Sequence, residues 1–111
     1  MKNFQLSFKY SFQNEEVIYA EEDISIVSFH DIRKLIQMAK RTKRKRIRLC
    51  AHPSLSSHVH DMLIIHFLDT YVRPHKHLKK DETFHIIQGQ LKIIIFYDDG
   101  SIYKIIDLNE Y

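Results

Sequence analysis

Apolar side chains recur at every second position over much of this chain, and that period constrains its fold more than any other feature. A period of two belongs to a β-strand with one buried face, and β-branched or aromatic residues fill many of the apolar positions. Short candidate strands cover residues 4–12, 16–20 and 24–27. The stronger candidates lie within about residues 47–107, at 47–51, 61–68, 70–74, 83–88, 91–97 and 101–107. The chain is therefore predicted to be mainly β.

One segment departs from this alternation. Ser28 is a suitable N-cap, and Asp31 stands three residues later, where a capping box needs an acceptor. The apolar residues that follow have helical spacing, at Ile32, Leu35, Ile36 and Ala39. This pattern predicts one N-terminal amphipathic helix over about residues 29–42.

The sequence shows no clear domain boundary, because the chain has only two glycines and two prolines and no repeat or low-complexity tract. We therefore expect residues 1–111 to form a single domain. One helix leading into short antiparallel strands is typical of a sandwich or barrel of the jelly-roll kind. Asp98, Asp99 and Gly100 predict a tight hairpin turn between the last two strands, since Asp and Gly tolerate a left-handed backbone.

The net charge of +3 comes from one basic run at the predicted end of the helix. Seven of the 17 basic residues lie in it, and the other 10 are outnumbered by 14 acidic ones. Positive charge at a helix C-terminus is favoured by the helix dipole, so a solvated helix end is one interpretation and an anionic ligand or partner is another. Nucleic acid is disfavoured because no aromatic residues are interleaved. The run consists of Lys40, Arg41, Lys43, Arg44, Lys45, Arg46 and Arg48.

The sequence has neither a basic-then-apolar leader at its start nor an uninterrupted apolar stretch of about 18 residues. We therefore expect a cytoplasmic protein with no membrane segment. Its one cysteine, Cys50, has no partner for an internal disulfide.

The residues that indicate chemistry are His75, His77 and Glu82. On a strand, positions i and i+2 point to one face, so the two imidazoles would lie side by side, and a carboxylate from the next strand would complete three ligands. Such a set suits one divalent transition metal ion, Fe, Mn, Ni, Co or Zn, with coordination positions left open. The alternative is a surface histidine pair beside a solvated turn, or a purely structural cluster.

Other residues are weaker candidates. His66 on the preceding strand is a possible additional ligand, although a strand histidine is more often simply hydrogen-bonded. Arg73 and Tyr71 are possible substrate-binding residues, the alternatives being a salt bridge for Arg73 and a core position for Tyr71. His85 would point away from the site, while His52, His58 and His60 are expected at the surface. No residue can be assigned a catalytic role.

The spacing H-x-H, x4, E, x6, G from His75 to Gly89 resembles the first cupin motif at each of these positions. Over about residues 15–111 the chain is similar to the WbuC-type cupin-fold metalloproteins, a bacterial family met in surface-polysaccharide gene clusters. The similarity rests on RKRIRLCAHPS, HDMLI, YVRPHKH and FYDDG. It implies a cupin jelly-roll barrel that binds a metal through His75, His77 and Glu82. A small polar or sugar-derived ligand, such as a nucleotide-sugar derivative, would be the substrate.

Two features differ from the cupin pattern. Asp69 stands where the motif usually has glycine, and the sequence ends at Tyr111 before a second cupin motif. We therefore expect either a shortened family member or a fragment of a longer protein. In both cases a cupin-like barrel or an open half-barrel would result, covered by a homodimer contact at its exposed edges. A non-catalytic metal or ligand-binding module with an incomplete active site is the alternative to an enzyme.

Overall fold

The computed structural model describes residues 5–68 and 70–111, and it confirms a mainly β chain with one helix. Phe4 of the first candidate strand and Asp69 of the cupin-like pattern lie outside the described residues. In chain order the elements are β1 (Tyr10–Asn14), β2 (Val17–Ala20), α1 (Phe29–Arg41), β3 (Arg46–Cys50), β4 (Met62–His66), β5 (Gln90–Phe96) and β6 (Ile102–Asn109). They fall into two compact units, one up to Arg73 and one from Pro74 to Tyr111. That the whole chain forms a single domain stays a prediction.

The first unit contains a mixed four-stranded sheet in the order β1-β2-β3-β4. The pairs β1/β2 and β3/β4 are antiparallel, whereas β2 and β3 are parallel. The antiparallel pairing expected for the strands after the helix is confirmed, whereas β2, which precedes the helix, pairs with β3 in parallel because α1 connects the two strands. A crossover through a helix brings the chain back in its original direction and so produces a parallel pair.

Helix α1 begins at the predicted cap. The side chain of Ser28 accepts a hydrogen bond from the Asp31 backbone N–H, and the Asp31 carboxylate accepts one from the Ser28 backbone N–H. The helix packs against one face of the sheet, and the resulting core contains Phe8, Ile18, Ala20, Leu35, Met38, Ala39, Ile47 and Leu49. Among the described residues, no helix is long and apolar enough to cross a membrane.

Removal of one leucine side chain from this core is expected to destabilise the protein substantially. Leu35 is fully buried between α1 and the sheet, so Leu35→Ala should lower the free energy of unfolding by about 2–4 kcal/mol through lost burial and a residual cavity. Leu55→Ala is the matched control, because Leu55 is 73% exposed and its truncation should change stability by less than about 0.5 kcal/mol. Urea denaturation measures both. An equal decrease in the free energy of unfolding for the two variants would contradict this description of the core.

The second unit is built on the β5–β6 hairpin. Its turn is the predicted Asp98-Asp99-Gly100 sequence, with Gly100 at φ 91° in the left-handed region. Asp99 accepts hydrogen bonds from the backbone and hydroxyl of Ser101, and these bonds lower the Asp99 pKa below its usual value. Every residue from Pro74 to Tyr111 is described, and none is buried.

Three candidate strands, at residues 24–27, 70–74 and 83–88, are wrong, since these segments form no strand. Alternation makes a segment suitable for a sheet, but a strand also needs a neighbour that accepts its backbone hydrogen bonds. In the described part of the chain, the strands form separate sheets of four and two, and neither sheet closes into a barrel.

Candidate metal centre

His75 and His77 lie in an irregular segment that precedes β5, and not on a strand as the alternation suggested. Their rings are nevertheless neighbours, with centroids 4.9 Å apart and planes at 88°. The two rings are thus neighbours, as predicted, although the predicted strand is absent. In a strand and in this segment alike, the two side chains are separated by one intervening residue.

Glu82 contacts the second of these histidines. Its Oε1 lies 2.9 Å from Nε2 of His77, and the two side chains are 44% and 39% exposed. The chain bends at residues 78 and 79, between the two residues. The predicted turn thus exists, and it brings the carboxylate back to the imidazole without the pairing of two strands.

Lys76, the residue between the two histidines, forms an ion pair that the sequence did not predict. Its Nζ lies 3.2 Å from Oδ1 of Asp98 in the hairpin turn. Both side chains are largely exposed, so the pair contributes little stability by itself. It does connect the histidine segment to the β5–β6 hairpin within the same unit, and it turns Lys76 toward that hairpin.

Contacts join His75 to His77 and His77 to Glu82, but the three candidate ligands are not arranged around a common centre. Across residues 5–68 and 70–111, no three His, Cys, Asp or Glu side chains form a set that could hold an ion as they stand. His77 is the central residue of the three, because it contacts both the ring of His75 and the carboxylate of Glu82. Side-chain rotations would be needed to direct three donor atoms at one point.

His66, the possible additional ligand, lies in β4 of the first unit, opposite Arg46 of β3. Burial lowers the pKa of His66 below its usual 6.5, and the nearby charge of Arg46 lowers it further. Both effects favour the neutral imidazole, which is the form that binds metals. Because the triad lies in the other unit, a shared site stays a prediction.

The possible substrate-binding residues lie in the irregular segment that follows β4 and precedes β5 in the sequence. Tyr71 is 75% exposed, so the alternative of a core position is wrong. Arg73 was expected to share a strand face with His75, but residues 70–77 form no strand and the alternation argument does not apply to them. Their role in substrate binding stays a prediction.

Two histidines expected at the surface are packed together in the first unit. His52 is only 5% exposed, and its ring stacks on His60 with centroids 4.1 Å apart. The ring of Tyr19 meets His52 edge-on at 5.9 Å. The surface expectation is wrong for His52, because the loop after β3 folds back beside β2. No sequence period marks that loop.

Residues 27–108, about three quarters of the chain, match a family described as Domain of unknown function (DUF6016). The match includes α1 and all three candidate ligands. No curated protein and no solved structure shows significant similarity to the chain. The chain therefore belongs to the DUF6016 family of domains of unknown function.

Proposed function

We propose that this protein binds one divalent transition metal ion through His75, His77 and Glu82. The observation that carries the proposal is the contact of 2.9 Å between His77 Nε2 and Glu82 Oε1. Two donor atoms that each lie about 2.1 Å from one ion, at right angles, are about 3 Å apart. The contact therefore has the spacing of two neighbouring ligands.

The second imidazole supports the same proposal. Two imidazoles bound to one ion at right angles have ring centres roughly 4.5–5 Å apart by the same construction. The centroids of His75 and His77 are 4.9 Å apart. Rotation of exposed side chains would then be enough to direct both rings and the carboxylate at one ion. Two neutral nitrogens and one carboxylate oxygen suit Fe, Mn, Ni, Co or Zn.

The wider setting of the proposal rests on the resemblance to WbuC-type cupins. We take the chain to be a cytoplasmic cupin-like protein with an open half-barrel. Its ligand would be a small polar or sugar-derived molecule, for example a nucleotide sugar of surface-polysaccharide metabolism. A homodimer would cover the exposed apolar residues of the β5–β6 hairpin, where Ile94, Phe96 and Ile105 are each at least 40% exposed. Such a metal ion would supply Lewis acidity at its open positions.

A non-catalytic binding module is the second candidate function. It is favoured by the openness of residues Pro74–Tyr111, in which no side chain is buried. Catalytic sites gain strength from excluding water, and exposed ligands lack that advantage. Turnover of a nucleotide sugar by the metal-loaded protein would identify an enzyme, whereas metal-dependent binding without turnover would identify the module.

Metal analysis tests the central proposal. Protein purified without chelator or histidine tag should contain close to one equivalent of metal, or take it up when Zn²⁺ or Mn²⁺ is added. His75→Ala/His77→Ala should reduce the metal content to background, because one carboxylate cannot retain the ion alone.

The matched control is His30→Ala/His58→Ala, which removes two exposed histidines outside the triad and should leave the metal content unchanged. Circular dichroism checks that each variant is folded. Retention of metal by the His75/His77 variant, or failure of the wild type to bind any added ion, would refute the proposal.

A further inference from the structure

The side of the four-stranded sheet that faces away from α1 carries an arginine at its centre. Along β3, Ile47 and Leu49 belong to the core against the helix, so Arg46, Arg48 and Cys50 lie on the opposite face. The strand register places Val17 of β2 and Ile64 of β4 on either side of Arg48. An aliphatic residue therefore lies beside Arg48 on each neighbouring strand.

The other arginines of this region have acidic partners. Arg44 forms a two-pronged contact with Glu16, through Nη2 at 2.5 Å and Nε at 2.7 Å. Arg46 Nε lies 3.1 Å from the same carboxylate. Glu16 thus forms ion pairs with two arginines, so its single negative charge is already more than balanced by Arg44 and Arg46.

Arg48 has no such partner among residues 5–68 and 70–111. Its Nε is buried and makes no hydrogen bond, and the described residues include no carboxylate that pairs with it. The residue as a whole is only partly buried, so part of it can be reached from solvent. Enclosing a charged donor without an acceptor is unfavourable, and proteins usually compensate such a group with a hydrogen-bonding partner of opposite charge.

We propose that Arg48 binds the carboxylate or phosphate group of a small organic anion on the face of the sheet opposite α1. The planar guanidinium presents parallel N–H donors that match two oxygens of such a group. Val17 and Ile64 would contact the apolar part of the ligand. This site belongs entirely to the unit up to Arg73, and it does not depend on the metal centre.

The surroundings favour one compact anion over a polyanion. Binding of an extended phosphate backbone needs several free cations along a surface. Here the two neighbouring arginines are held by Glu16, and the side chain of Arg46 is only 21% exposed. A single unpaired guanidinium between apolar residues suits one oxyanion group at the end of a small molecule.

The experiment uses the full chain, which is first treated with EDTA to remove bound metal and then dialysed free of EDTA, because EDTA carries carboxylates that could themselves occupy the proposed site. ¹⁵N-labelled protein is titrated with inorganic phosphate and, separately, with acetate, at constant ionic strength. The Nε–H signal of Arg48 should shift and saturate with at least one of the two, and the responding anion indicates whether the ligand is a phosphate or a carboxylate. Arg48→Met should weaken this anion's apparent affinity by at least about tenfold.

Arg33→Met is the matched control, since it removes an exposed arginine from α1 on the other side of the sheet. It should leave anion affinity unchanged. Without added anion, Arg48→Met should melt at the same temperature as wild type or higher, because an unpaired buried donor has been removed. A purely structural arginine would instead lower the melting temperature when replaced. That result, or an equal response of wild type and Arg48→Met to both anions, would overturn the proposal.

Discussion

Asp31→Asn is expected to lower the free energy of unfolding by about 3 kcal/mol at neutral pH, because a fully buried carboxylate loses its charge while its donors remain. Asp31 accepts hydrogen bonds from the backbone N–H and the hydroxyl of Ser7, at 2.7 and 2.5 Å, and from the same two groups of Ser28, both at 2.9 Å. The amide of asparagine has one acceptor oxygen and cannot receive all four. The cap of α1 and the segment before β1 would both be weakened.

The same carboxylate should make the free energy of unfolding depend on pH. Burial by itself would raise the Asp31 pKa, but the hydrogen bonds from Ser7 and Ser28 outweigh it and lower the pKa from 3.8 to about 2. A group with a lowered pKa in the folded state stabilises the fold above its unfolded pKa. Its contribution, about 2 kcal/mol, is therefore complete above about pH 5 and is lost as the pH falls toward 2.

Urea denaturation at pH 7, 5, 3.5 and 2.5 measures both effects. The free energy of unfolding of the wild type should fall steeply below pH 4. For Asp31→Asn it should be lower at pH 7 and should fall less as the pH decreases. Asp23→Asn removes an exposed carboxylate nearby in sequence and should behave like the wild type. Parallel pH profiles for wild type and Asp31→Asn would show that Asp31 is not the group responsible.

Glu82→Gln is expected to weaken Zn²⁺ or Mn²⁺ binding on the order of 100-fold, because it replaces the only anionic donor of the proposed triad with a neutral amide. The glutamine would retain the size of the side chain and could still contact His77 Nε2. A loss of affinity would thus report the missing charge at the ion. Titration with either metal, followed by calorimetry, provides the dissociation constants.

Asp81→Asn is the control for this variant. It removes the same charge one residue away, from an exposed side chain outside the triad, and should change metal affinity less than about threefold through long-range electrostatics. Glu82→Asp should give an intermediate affinity, since it retains the charge on a shorter side chain. If Glu82→Gln and Asp81→Asn weakened binding equally, the carboxylate of Glu82 would contribute only general negative charge.

Local patterns correctly predicted several elements of this protein. Ser28 and Asp31 predicted the start of α1 because a helix cap is built from residues within one turn. The Asp98-Asp99-Gly100 turn was equally predictable, since its backbone conformation depends on the turn residues themselves. The neighbouring rings of His75 and His77 also follow from short-range geometry. By contrast, alternation at residues 70–74 and 83–88 predicted strands that did not form for lack of a pairing partner.

By itself, the sequence determined where the helix begins and where the last hairpin turns, because each of these depends on residues close together in the chain. Only the tertiary structure decided that β2 and β3 pair in parallel, that His52 is buried against His60, and that Glu16 pairs with Arg44 and Arg46. It alone left Arg48 without a partner among the described residues. These outcomes depend on which distant residues come together, and that is decided by packing of the whole unit, which no local period encodes.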